Sequence, residues 1–144
     1  MLPVVRVLIG VLFLVSGVEK LISPYQNFLY AIQAYQLLPG WAETAVARVF
    51  PWVELFVGIF MFLGLWTEAA LKGALVLFAV FITVVGQALL RKLDIDQCGC
   101  FGQMMHLKLH VVIVLDSLCL FLTVLMLRYL HKTKQWGLDR YFEK

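Results

Sequence analysis

Charge is the first thing this chain is short of. Only 15% of its 144 residues are charged, while 62% are hydrophobic. A soluble domain is nearer a quarter charged and half apolar. With mean hydropathy +0.90, there is too little polar surface to cover a water-exposed globule, so the bilayer is the natural solvent. No basic run is long enough to neutralise a nucleic-acid backbone, and the net charge is only +3. That excludes nucleic acid as a partner class. Cysteine is scarce too, with three in the whole chain, which excludes a disulfide-stapled fold. A small-x-small cleavage site is also lacking after the first apolar stretch, where Ser16-Gly17-Val18-Glu19-Lys20 is a poor match. Met1 to Lys20 therefore reads as a retained helix.

What is present is greasy sequence in four blocks. Val4–Ile22, Ala42–Trp66 (with Pro51 inside it), Ala69–Leu90 and Leu107–Leu130 each approach the length of a spanning helix, which is about 20 residues. Open sheet edges cannot be left in lipid. The expected fold is all-α, a four-transmembrane-helix bundle forming one domain over residues 1–130, followed by a basic tail over 131–144. The first connection is long. Within it Phe28, Leu29, Ile32 and Tyr35 recur at helical spacing, predicting a short amphipathic helix at the interface. Pro39-Gly40 ends it.

Four spans put both termini on one side of the membrane. That side holds Arg6, Lys72, Arg128, Lys132, Lys134, Arg140 and Lys144, seven cations; the other holds Lys20, Arg48, Arg91, Lys92 and Lys108, five. The excess places the termini in the cytoplasm of a bacterial inner membrane. The loop carrying Cys98 and Cys100 then faces the periplasm or its equivalent, an oxidising compartment.

That loop, "LDIDQCGCFG", holds two cysteines one residue apart in a polar setting. A disulfide between Cys98 and Cys100 would close a tight ring that Gly99 tolerates. Such a bond constrains almost no chain, and a strained, exposed disulfide is readily attacked. Those facts favour redox chemistry over a structural staple. Two other readings stay open. The pair can be idle thiols in a turn. Cys98, Cys100, His106 and His110 can also form a Cys2His2 metal set, although one intervening residue is tight for zinc. Cys119 lies about 13 Å deeper along the last helix than His110, at 1.5 Å per residue. It reads as packing.

Charges inside the apolar blocks are costly and should face the bundle with partners. Glu54 follows Pro51 by one turn, and Pro51 lacks the amide that would hold that turn. Lys20 and Arg48 are its candidate partners. With Gln87, Asp94 and Asp116 they make a supporting polar cluster below the cysteine loop. This cluster is either an ion-paired lock or a proton path beside a cofactor. The cofactor expectation is a membrane quinone near Pro51, Trp52, Glu54 and Phe101.

Four stretches, "RVLIGVLFLVSGVEKLISP", "AIQAYQLLP", "FPWVELFVGIFMFLG" and "RKLDIDQCGCFG", occur in that order. In them the chain resembles the MauE branch of the DoxX-like membrane proteins, over about Arg6 to Leu130. The resemblance implies a four-helix membrane bundle and a thiol–disulfide role for Cys98 and Cys100. It further implies a thioredoxin-like extracytoplasmic partner, and places Lys20, Pro51, Glu54 and Asp94 at matching positions. The family's named member serves methylamine utilisation and the maturation of a periplasmic dehydrogenase. A non-catalytic assembly factor is therefore the alternative to a redox protein. Two departures stand out: Leu115 precedes Asp116 where many relatives have Arg, and Arg91-Lys92 replaces Arg-Gly.

Overall fold

The computed structural model describes residues 2–92 and 109–129, with Leu138 and Tyr141. Among the described residues the chain is helical. Its elements are α1 (Leu2–Ile22), α2 (Tyr25–Ala34), α3 (Gly40–Leu63), α4 (Thr67–Leu90) and α5 (Leu109–Arg128). Four of them, α1, α3, α4 and α5, are long and apolar enough to cross a membrane, and α2 is the short helix of the first connection. The protein is an integral membrane four-helix bundle.

The spanning helices alternate in direction. An added Cβ at Gly10 would sit 2.9 Å from the Phe62 amide nitrogen, and one at Gly17 would sit 2.9 Å from that of Leu55. As α1 ascends, α3 descends beside it. Gly58 completes the seam, since a Cβ there would lie 2.8 Å from the Leu14 nitrogen. Lipid is as apolar as leucine, so close backbone packing, rather than the hydrophobic effect, drives this pairing. Phe13 packs on Phe78 at 5.0 Å and Phe50 meets Phe81 edge-on at 5.4 Å, bringing α4 onto α1 and α3. Gly86 faces Ile113, which brings in α5.

The bundle therefore has two distinct ends. The loop end gathers the last turns of α1 and α4 with the first turns of α3 and α5, and the segment 93–108 joins α4 to α5 there. At the tail end Gly64 caps α3 in the left-handed region, with φ 68°, where a side chain is disfavoured. Trp66 follows at φ 45°. This turn stops α3 at Leu63, three residues short of the apolar block that the sequence presents. The Leu138 amide donates to the Leu63 carbonyl at 3.3 Å, so that part of the tail lies against the same end.

Buried apolar residues form one continuous core that includes Ile9, Phe13, Met61, Leu71, Phe78, Val85, Val112 and Met126. Large apolar side chains such as Val15, Phe56, Val76 and Leu118 are exposed around the outside. A water-soluble bundle would hide them; here they meet acyl chains.

Candidate functional site

Ser16 and Lys20 are four residues apart on α1 and so share a face. Both are buried. Glu54 on α3 is fully buried and lies opposite them. The Lys20 ammonium donates to Glu54 Oε2 at 2.8 Å, to Glu54 Oε1 at 2.9 Å and to Ser16 Oγ at 2.9 Å. Ser16 Oγ in turn donates to Glu54 Oε2 at 3.3 Å. The three groups form a closed triangle. An ammonium has three donors, and each finds an acceptor.

Three aromatic rings surround the same nitrogen. Phe28 of α2 is 5.2 Å from it, Phe81 of α4 is 5.6 Å and Phe50 of α3 is 5.9 Å, measured to ring centroids. Ring faces carry negative potential, so a desolvated cation gains from each. One ammonium thus draws together α1, α2, α3 and α4. Side-chain exposure of the pair is 2% for Lys20 and 0% for Glu54. Two charges without water are costly unless hydrogen-bonded in full, and here they are. The arrangement suits an ion pair that holds helices in register. It also places a proton-bearing nitrogen and a carboxylate inside the loop-end half of the bundle.

Of the two partners expected for Glu54, Lys20 holds it and Arg48 does not. Arg48 is exposed, with its guanidinium 5.8 Å from the Tyr25 ring. Six residues of helix turn it roughly 240° away from Glu54. Trp52 likewise leaves the expected cofactor wall. It is 51% exposed and sits 6.4 Å from Phe56, on the lipid side. Two residues from Glu54 means about 200° around the helix. Pro51 is buried beside the pair's own helix face. Gln87 is half-buried near the end of α4, and Asp116 is fully buried on α5, one turn before Cys119. Cys119 belongs to the core. Cys98, Cys100, Asp94, Phe101 and His106 lie outside the described residues; His110 is exposed in the first turn of α5. Among the described residues no three His, Cys, Asp or Glu side chains come together as a metal set.

Several contributors were not singled out by sequence reasoning. Ser16 was legible, because it stands one turn before Lys20. Phe50 stands one turn before Glu54 and was legible for the same reason. Phe28 and Phe81 carried no local signal, since aromatics are common in apolar blocks. Arg6, counted among the cations of the side that holds the termini, is buried to 1% exposure.

A polytopic helical membrane bundle with a caged ion pair between its helices is the class defined so far. The chain belongs to the family described as "Methylamine utilisation protein MauE", whose sequence model matches residues 1–129. It is similar to the "Methylamine utilization protein MauE" of Paracoccus denitrificans, with 27% identity over 115 residues, or 80% of this chain and 61% of that protein. The chain thus spans about three-fifths of the length of the curated relative it matches. The wider DoxX-like grouping rests on the sequence motifs alone. No solved structure matches the chain.

Proposed function

We propose that this protein is a membrane thiol–disulfide redox protein. In this reading it supports disulfide formation or maturation of an extracytoplasmic protein; the relative in Paracoccus denitrificans is named for methylamine utilisation. The observation that carries the reading is the Lys20–Glu54–Ser16 triangle. A fully desolvated charge pair sits in the half of the bundle from which the Cys98-Gly99-Cys100 segment springs. An intramembrane ionisable pair is a candidate for a proton or substrate path, beside its role as a lock between helices.

In the proposed cycle, a thiolate of a thioredoxin-like partner attacks the Cys98–Cys100 disulfide and forms a mixed disulfide. The partner's second thiolate resolves it. The partner is oxidised by two electrons, and Cys98 and Cys100 take up those electrons and two protons as a dithiol. A bound membrane quinone would supply the two-electron acceptor that restores the disulfide. Phe50 and Phe81 would offer ring faces to such a group, and Lys20 would have to exchange one of its bonds to Ser16 or Glu54 for the carbonyl oxygen. Trp52 faces lipid and takes no part. Glu54 and Lys20 hold a proton donor and a proton acceptor next to one another, which is what two-proton chemistry requires. The loop end is periplasmic and both termini are cytoplasmic in the inner membrane, following the cation excess.

The redox state of Cys98 and Cys100 tests this in intact membranes. Thiols are trapped with a membrane-impermeant maleimide across a thiol–disulfide buffer series and read by mass spectrometry. Labelling that titrates as a two-electron pair from outside supports the reading. Thiols that never oxidise, or that label only from the cytoplasm, reject it and leave a non-catalytic assembly factor.

A further inference from the structure

The caged pair is covered on one side by a short and weakly held helix. α2 buries none of its ten residues fully, whereas Tyr35 just beyond it is buried. Both of its ends are breaks in helical geometry. Pro24 precedes it in an extended conformation, with no side-chain cap. Gln36 follows in the left-handed region at φ 49°, uncommon for a side-chain-bearing residue, and Pro39 is extended again. Ring contacts clasp α2 to the bundle at two places. Phe28 stacks on Phe50 at 6.1 Å and covers the Lys20 ammonium, and the exposed Arg48 lies over Tyr25. The remaining shields of Lys20, Phe50 and Phe81, stand on spanning helices and cannot leave without unpacking the bundle. An amphipathic element with few buried contacts opens at lower free energy than the core it covers.

We propose that α2 is a lid, hinged between Pro24 and Gln36, with Phe28 as its latch. Closed, Phe28 forms one face of the cage. Open, it uncovers Lys20 and Glu54 to the membrane interface at the loop end. There an amphiphile with a carbonyl or other hydrogen-bond-accepting headgroup competes with Ser16 and Glu54 for the ammonium's three donors. The lid deepens the redox reading above and depends on it for its use. Its test does not involve the cysteines.

The probe is acetic anhydride, which crosses membranes, applied to the full chain in liposomes. Acetylation of Lys20 is read by mass spectrometry and normalised to Lys72, whose side chain is 62% exposed. In the native chain Lys20 should react far more slowly than Lys72. Phe28→Ala should raise the Lys20 to Lys72 ratio by about tenfold, Phe28→Tyr should keep it low, and Arg48→Ala should raise it by roughly two- to threefold. If Phe28→Ala loses helical content, Arg48→Ala decides alone, because that residue is exposed and outside the core. A Lys20 as shielded in Arg48→Ala and in folded Phe28→Ala as in the native chain overturns the lid. A failure here leaves the cysteine titration untouched, and a failure there leaves the lid standing.

Discussion

Two lysine–glutamate pairs occupy opposite ends of the bundle. Lys20 and Glu54 meet at 2.8 Å near the loop end, and Lys72 and Glu68 meet at 2.7 Å at the tail end. Distance does not separate them; surroundings do. The first pair joins two helices, is sealed from solvent and uses every ammonium donor. The second lies within one helix, four residues apart, with side chains 62% and 52% exposed. Exposed pairs gain little, since solvent already serves both charges and salt screens them. In the buried pair each charge depends on the other, because only Ser16 and the ring faces otherwise stand in for the water it gave up. Hydrogen-bond length therefore says little about what a pair contributes, and desolvation says most of it.

The largest test of this contrast is Glu54→Gln. It strands the Lys20 charge among three rings and should cost about 3–5 kcal/mol of stability, read by denaturant unfolding followed by circular dichroism in detergent. A loss below about 1 kcal/mol would put both pairs in the same class. The double variant Lys20→Met, Glu54→Leu sharpens the point. It removes both charges while keeping volume, and should recover stability to within about 1 kcal/mol of native. If the pair serves redox turnover, reoxidation of Cys98 and Cys100 should stay lost in that well-folded variant. Normal reoxidation would make the pair a lock between helices and nothing more.

Gly58→Val comes next. Its side chain would collide with the Leu14 backbone, which a Cβ already approaches to 2.8 Å, and α1 must back away from α3. A loss of about 1–3 kcal/mol is expected, with the Lys20–Glu54 pair loosened in consequence. Faster Lys20 acetylation would reveal that loosening; unchanged reactivity would uncouple the seam from the pair. Phe81→Leu removes one ring from the cage and should cost about 1–2 kcal/mol. The smallest effect belongs to Glu68→Gln at the exposed pair, at most about 0.5 kcal/mol. A larger loss there would mean that the tail-end pair does more than its exposure allows.

Much of this was legible from residues alone, and the limits have physical causes. Span number and approximate position follow from composition, because a bilayer demands a run of apolar residues whatever their order. Helix ends were less legible: the second block stays greasy through Trp66, while Gly64 stops α3 by backbone geometry. Glu54 announced itself as a charge that must find a partner. The identity of the partner was ambiguous between Lys20 and Arg48, since hydropathy carries no angular information. Helical rotation turns Arg48 and Trp52 to the outside. The burial of Arg6 shows only in the structure, because a cation near a helix start carries no sign of the neighbouring helices that cover it.

Sequence by itself determined that the chain must live in a membrane as apolar helices, and that its few charges and its Cys-Gly-Cys segment are where chemistry is to be sought. It could do so because the cost of leaving polar groups in lipid acts on every residue locally. Tertiary structure alone decided which cation meets Glu54, that Phe28, Phe50 and Phe81 enclose it, and that a short outer helix closes the enclosure. Those relations join four helices through contacts between residues up to 61 positions apart, from Lys20 to Phe81, and their geometry exists only once Gly10, Gly17 and Gly58 let α1 and α3 meet backbone to backbone.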